Sequence, residues 1–155
     1  SDSWMAAHGF ADHALTTVTV SDVLASKEQS VPVVGIEPEA MVINAVRLME
    51  AHDISQLPVL EGECNVGSVS EGTLLKLLHD GVNLQQQAIR TVMAQPLPQI
   101  EDRIDVTEVY RLLLGGRGGV VVTRNGCPIG FLSRIDLVKY WTNKGSTTAK
   151  EEPHE

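Results

Sequence analysis

Hydrophobic positions in this 155-residue chain fall into two similar successions of short apolar runs and helical periodicities. Val33 to Ile36 is an apolar run, and Val42, Ala45, Val46 and Met49 follow at the spacing of one helix face. Glu37-Pro38-Glu39-Ala40 puts a proline and two acids where a helix begins, which predicts a helix over 39–52. Leu57 to Leu60 and Val66 to Val69 are strand-like runs joined by a hairpin turn, Glu61-Gly62-Glu63. Ser70 then caps a helix carrying Leu74, Leu75, Leu77 and Leu78, which stops near Gly81.

The same order returns in the second half. Ile89 to Met93 is a short lead-in, as Val20 to Ala25 is for the first half, with Ser21 as the predicted cap there. Leu97 to Ile100 is a strand, and Val106, Val109, Tyr110 and Leu113 mark a helix. Val120 to Thr123, the Asn125-Gly126 turn and Ile129 to Leu132 form a hairpin, and Ser133 to Trp141 is the last helix. From Asn143 the chain is polar, and 146–155 is expected to be a disordered tail.

Laying one half over the other makes the repeat explicit. Ile36-Glu37 falls on Ile100-Glu101 and Arg47-Leu48 on Arg111-Leu112 at an offset of 64. Beyond the hairpin the offset is 63, with Cys64 on Cys127, Gly67 on Gly130, Ser70 on Ser133 and Leu74 on Leu137. Each β-α-β-β-α unit predicts a three-stranded sheet with two helices on one face, too small to bury a core alone. The expected fold is therefore α+β, with repeats 18–82 and 83–145 packed face to face through their sheets.

Composition narrows the partners. Aromatics are 4% of the chain and the net charge is −8, which argues against nucleic acid and anionic membrane. No apolar run approaches the roughly 18 residues that span a bilayer, and no signal peptide is visible, so a cytoplasmic location is expected. Cys64 and Cys127 suit free thiols in equivalent hairpin turns. Residues 18–82 hold ten acids and three bases, and residues 83–145 hold five acids and eight bases. Halves of −7 and +3 would attract each other, within a chain or between copies, and a homodimer is expected.

The candidate chemistry lies where the last strand feeds the last helix. Ser133 stands as N-cap and Asp136 three residues on, at a helix start whose free N–H groups and positive dipole end suit a hydroxyl-rich or anionic ligand. A carboxylate there can accept hydrogen bonds from both hydroxyls of a ribose. The same Ser-x-x-Asp pattern is also close to a capping box, and the residues alone leave both readings open. In the first half Ser70 recurs, but Thr73 replaces the carboxylate, so that site is expected to be weak or empty. Arg134, with Arg117 in the Gly115–Gly119 run, is the basic group available to a phosphate. His8, His13, His52, His79 and His154 show no metal-ligand spacing with the cysteines, and no metal site is expected.

The doubled repeat, the strand-Ser-x-x-Asp-helix junction and Gln56-Leu57-Pro58-Val59 resemble the cystathionine β-synthase (CBS) domain pair, or Bateman module. The resemblance implies a sensor of adenosyl ligands, S-adenosylmethionine or AMP/ATP, without catalytic residues of its own. It implies a ligand cleft formed by Ser133 and Asp136, faced by Ile54, Ser55 and Gln56, with Phe131, Leu132 and Ile135 as apolar contacts. Ser70 and Thr73 would mark the weaker second cleft. Ser1-Asp2-x-Trp4-Met5-x-x-x-Gly9-Phe10 resembles the end of the catalytic domain of cystathionine β-synthase-like lyases. Residues 1–17 would then be an arm leading from a catalytic domain of the same polypeptide, whose cofactor is pyridoxal phosphate. A dimerisation module without a ligand, or the sensor of another enzyme or a transporter, remains open.

Overall fold

Each half of the chain is closed by the lead-in of the other half. The computed structural model describes residues 17–27 and 33–151, the side chains of 144–151 excepted. Helix α1 (Val20–Ala25) precedes the first repeat, yet Val20 and Val23 are buried in the core of the second, with Val109, Leu113, Val120 and Leu132. Val20 N–H donates to the Ile104 carbonyl at 2.9 Å, and Val106 N–H donates back to Val18 at 2.9 Å. Reciprocally, Ile89, in the 3-10 turn Ile89–Thr91, is buried in the core of the first repeat with Val42, Leu57 and Val69. Its N–H donates to Ala40 at 2.9 Å. A six-residue helix is marginal alone. Burying two valines contributes at most about 3–6 kcal/mol, enough to hold α1 in place.

A pair of glycines accepts these lead-ins. A Cβ on Gly130 would lie 2.5 Å from Leu24 of α1, and one on Gly67 would lie 2.6 Å from the Met93 sulfur. The two positions are equivalent in the repeat, so each return strand is covered in the same manner.

Local structure departs from the sequence expectations where tertiary partners take over. Thr19, not Ser21, caps α1. Asp22 N–H donates to Thr19 Oγ1 at 3.3 Å and Thr19 N–H to Asp22 Oδ2 at 2.9 Å, a closed capping box. Helix α2 (Val42–His52) starts three residues later than predicted, because Val42 and Ile43 N–H donate to the carbonyls of Gln87 and Leu84. Strands β1 (Gln56–Glu61) and β2 (Cys64–Ser70) form an antiparallel pair. The run Val33–Ile36 contributes only the parallel bridge of Ile36 to Val59, so this sheet has two strands and not the three expected. Helix α3 (Glu71–His79) follows.

The second sheet has its three strands. Strand β3 (Gln99–Glu101) runs parallel to β4 (Val120–Arg124), which pairs antiparallel with β5 (Cys127–Leu132). Helix α4 (Thr107–Leu114) lies between β3 and β4 in sequence. Helix α5 (Arg134–Glu151) runs well past Trp141, where the sequence placed a polar tail. No proline occurs between 142 and 151, and Gly145 costs a helix only about 1 kcal/mol. The tail's end, 152–155, and the arm residues 1–16 lie outside the described residues. The sheets meet along β2 and β5. From β2, Asn65 Nδ2 donates to the Leu97 carbonyl at 2.8 Å, and Ser68 exchanges backbone hydrogen bonds with Ala94.

The Asn125-Gly126 turn has the positive φ angles, 52° and 82°, that such a hairpin requires. Glu101 anchors it, accepting Asn125 N–H at 2.9 Å, Gly126 N–H at 3.1 Å and the Thr123 hydroxyl. These donors, Thr123 foremost, hold the Glu101 carboxyl below its ordinary range. A depressed carboxyl contributes stability that is present above its unfolded value and lost as pH falls through the folded one. Thermal unfolding from pH 6 to pH 3 is therefore expected to show a smaller fall in Tm for Glu101→Gln than for the natural chain. Equal slopes would show that Glu101 carries none of the acid sensitivity.

Candidate functional site

Three helices begin at a hydroxyl residue paired with the third residue beyond it, and each pair is wired differently. Thr19 and Asp22 close a full capping box. Ser70 Oγ accepts the Thr73 N–H at 3.2 Å, and the two hydroxyls lie 3.2 Å apart. At Ser133 the direction reverses. Its N–H and Oγ both donate to Asp136 Oδ2, at 2.9 and 3.0 Å, while the Asp136 and Leu137 N–H groups turn to the Ser133 carbonyl. Ser133 therefore orients the carboxylate and does not cap with its hydroxyl as the sequence suggested.

A third donor reaches the same oxygen. Lys27, two residues beyond the end of α1, places Nζ 3.2 Å from Asp136 Oδ2 and 2.8 Å from the Phe131 carbonyl. The Asp136 side chain is 15% exposed and that of Lys27 33%, so the pair is partly shielded. Among the described residues none donates to Asp136 Oδ1. Lys27 is the site residue that the sequence did not disclose. It lies in the lead-in of the first repeat, and only the exchange of lead-ins brings it to the second.

Arg134 is not the free basic group expected of it. Its Nε donates to the Leu113 carbonyl at 3.1 Å and its Nη2 to the Arg117 carbonyl at 3.1 Å, closing the end of α4 and the glycine-rich loop. Arg117 is exposed, with Nη2 3.5 Å from the Pro96 carbonyl.

The remaining candidates divide. Gln56 lies across Gly118, where a Cβ would meet its Nε2 at 2.3 Å, and the Phe131 ring lies across Gly119, where a Cβ would meet Cζ at 2.1 Å. Gln56 and Phe131 are thus gathered on the Gly118–Gly119 backbone. Ile54 packs against the first core, and its N–H closes α2 on Met49. The Ser55 carbonyl accepts the Glu71 N–H at 2.9 Å, so it is not an unoccupied acceptor. Leu132 is fully buried in the second core, because alternation along β5 turns it away from the side of Phe131. Ile135 stands exposed on α5 with Val138, one turn on.

The hairpins carry no comparable chemistry. Cys64 is exposed, whereas Glu63 accepts a hydrogen bond from Cys127 and so pushes that thiol up. Among the described residues no cluster of three His, Cys, Asp or Glu could hold a metal ion, and no helix is long and apolar enough to cross a membrane.

Comparison with known proteins agrees with this architecture. The CBS domain family model matches residues 20–80 and 89–143. A protein with CBS domains from Burkholderia ambifaria has a similar structure, at 23% identity and TM-score 0.70, over 79% of this chain and 93% of that one. A CBS domain protein of Pyrobaculum aerophilum, solved with AMP, matches at 18% identity and TM-score 0.65, over 77% and 90%. A hexameric CBS-CP12 protein from bloom-forming cyanobacteria matches at 22% and TM-score 0.64, over 79% and 71%. Both repeats found in the sequence are covered by one family model, and the chain belongs to the CBS-domain family with two copies of its domain.

Proposed function

We propose that this chain is a regulatory module that senses an adenosyl ligand at the start of α5. The observation that carries the reading is Asp136. Ser133 fixes its carboxylate at a helix start and leaves Oδ1 without a donor among the described residues. Such a carboxylate suits ribose hydroxyls, and the AMP carried by the Pyrobaculum protein of the same fold supports a ligand of that class. Calorimetric titration with AMP, ATP and S-adenosylmethionine tests it, with about one equivalent bound per chain expected. No heat with any of the three would leave a structural module, a reading favoured by the closed Lys27–Asp136–Ser133 network.

The first site differs by its missing carboxylate. Ser70 and Thr73 satisfy one another, and a hydroxyl forgoes roughly 1–3 kcal/mol relative to a charged acceptor. Thr73→Asp is expected to add a second, weaker binding event. Two equal sites in the natural chain would contradict this reading of Thr73.

A homodimer through the outer helix faces is part of the same proposal. Leu75 on α3 is 70% exposed and Val138, at the equivalent position on α5, is 53% exposed. Leu75→Arg with Val138→Arg is expected to shift sedimentation from dimer to monomer, and a natural chain sedimenting only at 16.8 kDa would end the proposal. The catalytic partner we infer is a pyridoxal-phosphate-dependent, cystathionine β-synthase-like lyase joined through residues 1–17. What supports it is the Trp4-Met5 and Gly9-Phe10 pattern.

A further inference from the structure

We propose that Lys27 determines the charge class of the ligand, selecting a nucleoside phosphate over a sulfonium nucleoside at the Asp136 site. The inference rests on Asp136 being the ribose acceptor. A cis-diol needs two acceptor positions on the carboxylate. Oδ1, with no donor among the described residues, offers both, while Oδ2 already accepts the Ser133 N–H, the Ser133 hydroxyl and the Lys27 ammonium at 3.2 Å. Ligand binding therefore leaves the Lys27 ammonium beside the carboxylate. The ammonium has three donors and uses two of them, on Oδ2 and on the neutral Phe131 carbonyl, which leaves one for the ligand.

It is a positive charge beside the ligand. A phosphate gives it a new anion, adenosine gives it none, and S-adenosylmethionine brings a sulfonium and an amino group against it. Arg134 does not substitute, since its guanidinium is committed to the carbonyls of Leu113 and Arg117. The overall charge of −8 would favour a cationic ligand, but distant surface charge is screened over about 8 Å. An ammonium in direct contact with the site is not, and it decides the preference.

The test is titration of the natural chain, Lys27→Met and Lys27→Arg with AMP, adenosine and S-adenosylmethionine at one salt concentration. The natural chain is expected to bind AMP at least about tenfold more tightly than adenosine or S-adenosylmethionine. Lys27→Met is expected to lose about tenfold for AMP, to stay within about threefold for adenosine, and to gain for S-adenosylmethionine. Lys27→Arg is expected to keep the preference for AMP. If AMP and adenosine weaken by the same factor in Lys27→Met, the lysine merely props the site, which overturns the inference and leaves Asp136 as the ribose acceptor. A natural chain that binds adenosine or S-adenosylmethionine as tightly as AMP overturns it without any variant. A natural chain that binds none of the three overturns both this inference and the adenosyl reading.

Discussion

Asp136→Ala is expected to cut adenosyl-ligand affinity at least about tenfold and to lower the stability of the free chain by about 1–2 kcal/mol. The affinity loss follows from two charge-assisted hydrogen bonds to ribose, each worth about 1.5–3 kcal/mol net. The stability loss is larger than the sequence suggests. With Ser133 as a hydroxyl cap, the loss of Asp136 would matter little. In the structure the Ser133 N–H and hydroxyl both donate to Asp136, so removing the carboxylate orphans them together. The Lys27 contact adds little to the cost, since a partly exposed ion pair contributes about 0–1 kcal/mol. Thermal unfolding with and without AMP checks both effects. The variant should melt roughly 2–8 °C lower, and the rise in Tm that ligand gives the natural chain should largely vanish. A ligand-induced rise of the same size in the variant would remove Asp136 from the site.

What was legible in the sequence is what local chemistry and the repeat determine. Asn125-Gly126 can be little other than a tight turn, and its φ angles agree. Ser70 caps α3 as predicted, through Thr73 N–H. Helix starts were less legible wherever the first N–H groups found distant partners. The carbonyls of Gln87 and Leu84 set the start of α2, and nothing near residue 39 announces them. The exchange of lead-ins was not legible at all. An offset of 63 or 64 says which residues are equivalent, not which copy Val20 and Ile89 cover.

The site was legible in proportion to how local it is. Ser133 and Asp136 are three residues apart on one helix start, and their contact follows from that spacing. Lys27 and Asp136 are 109 positions apart, and no periodicity in the sequence joins them. Leu132 and Phe131 show the opposite difficulty. Both belong to the apolar run Ile129 to Leu132, and composition alone could not say that Leu132 enters the core while the Phe131 ring covers Gly119.

Gly119→Ala is expected to be the most damaging single methyl in the glycine-rich loop, at a cost of about 1–3 kcal/mol. The new Cβ would lie 2.1 Å from Cζ and 2.8 Å from Cε2 of Phe131, so the whole ring has to move off the strand. A phenyl ring has two torsions with which to do so, and Val121 faces it across the hairpin. Gly118→Ala meets the Gln56 amide at 2.3 Å instead, the far end of a flexible side chain, and should cost well under about 1 kcal/mol. Gly116→Ala meets nothing within 4 Å but must hold a φ of +98°, at a cost of about 1 kcal/mol. Denaturant unfolding of the three variants should therefore rank 119 above 116 and 116 above 118. Phe131→Ala supplies the control: in that background the cost of Gly119→Ala should shrink to about 0.5 kcal/mol or less, a coupling that only direct contact produces. Equal costs with and without the ring would mean that Gly119 is constrained by its backbone and not by Phe131.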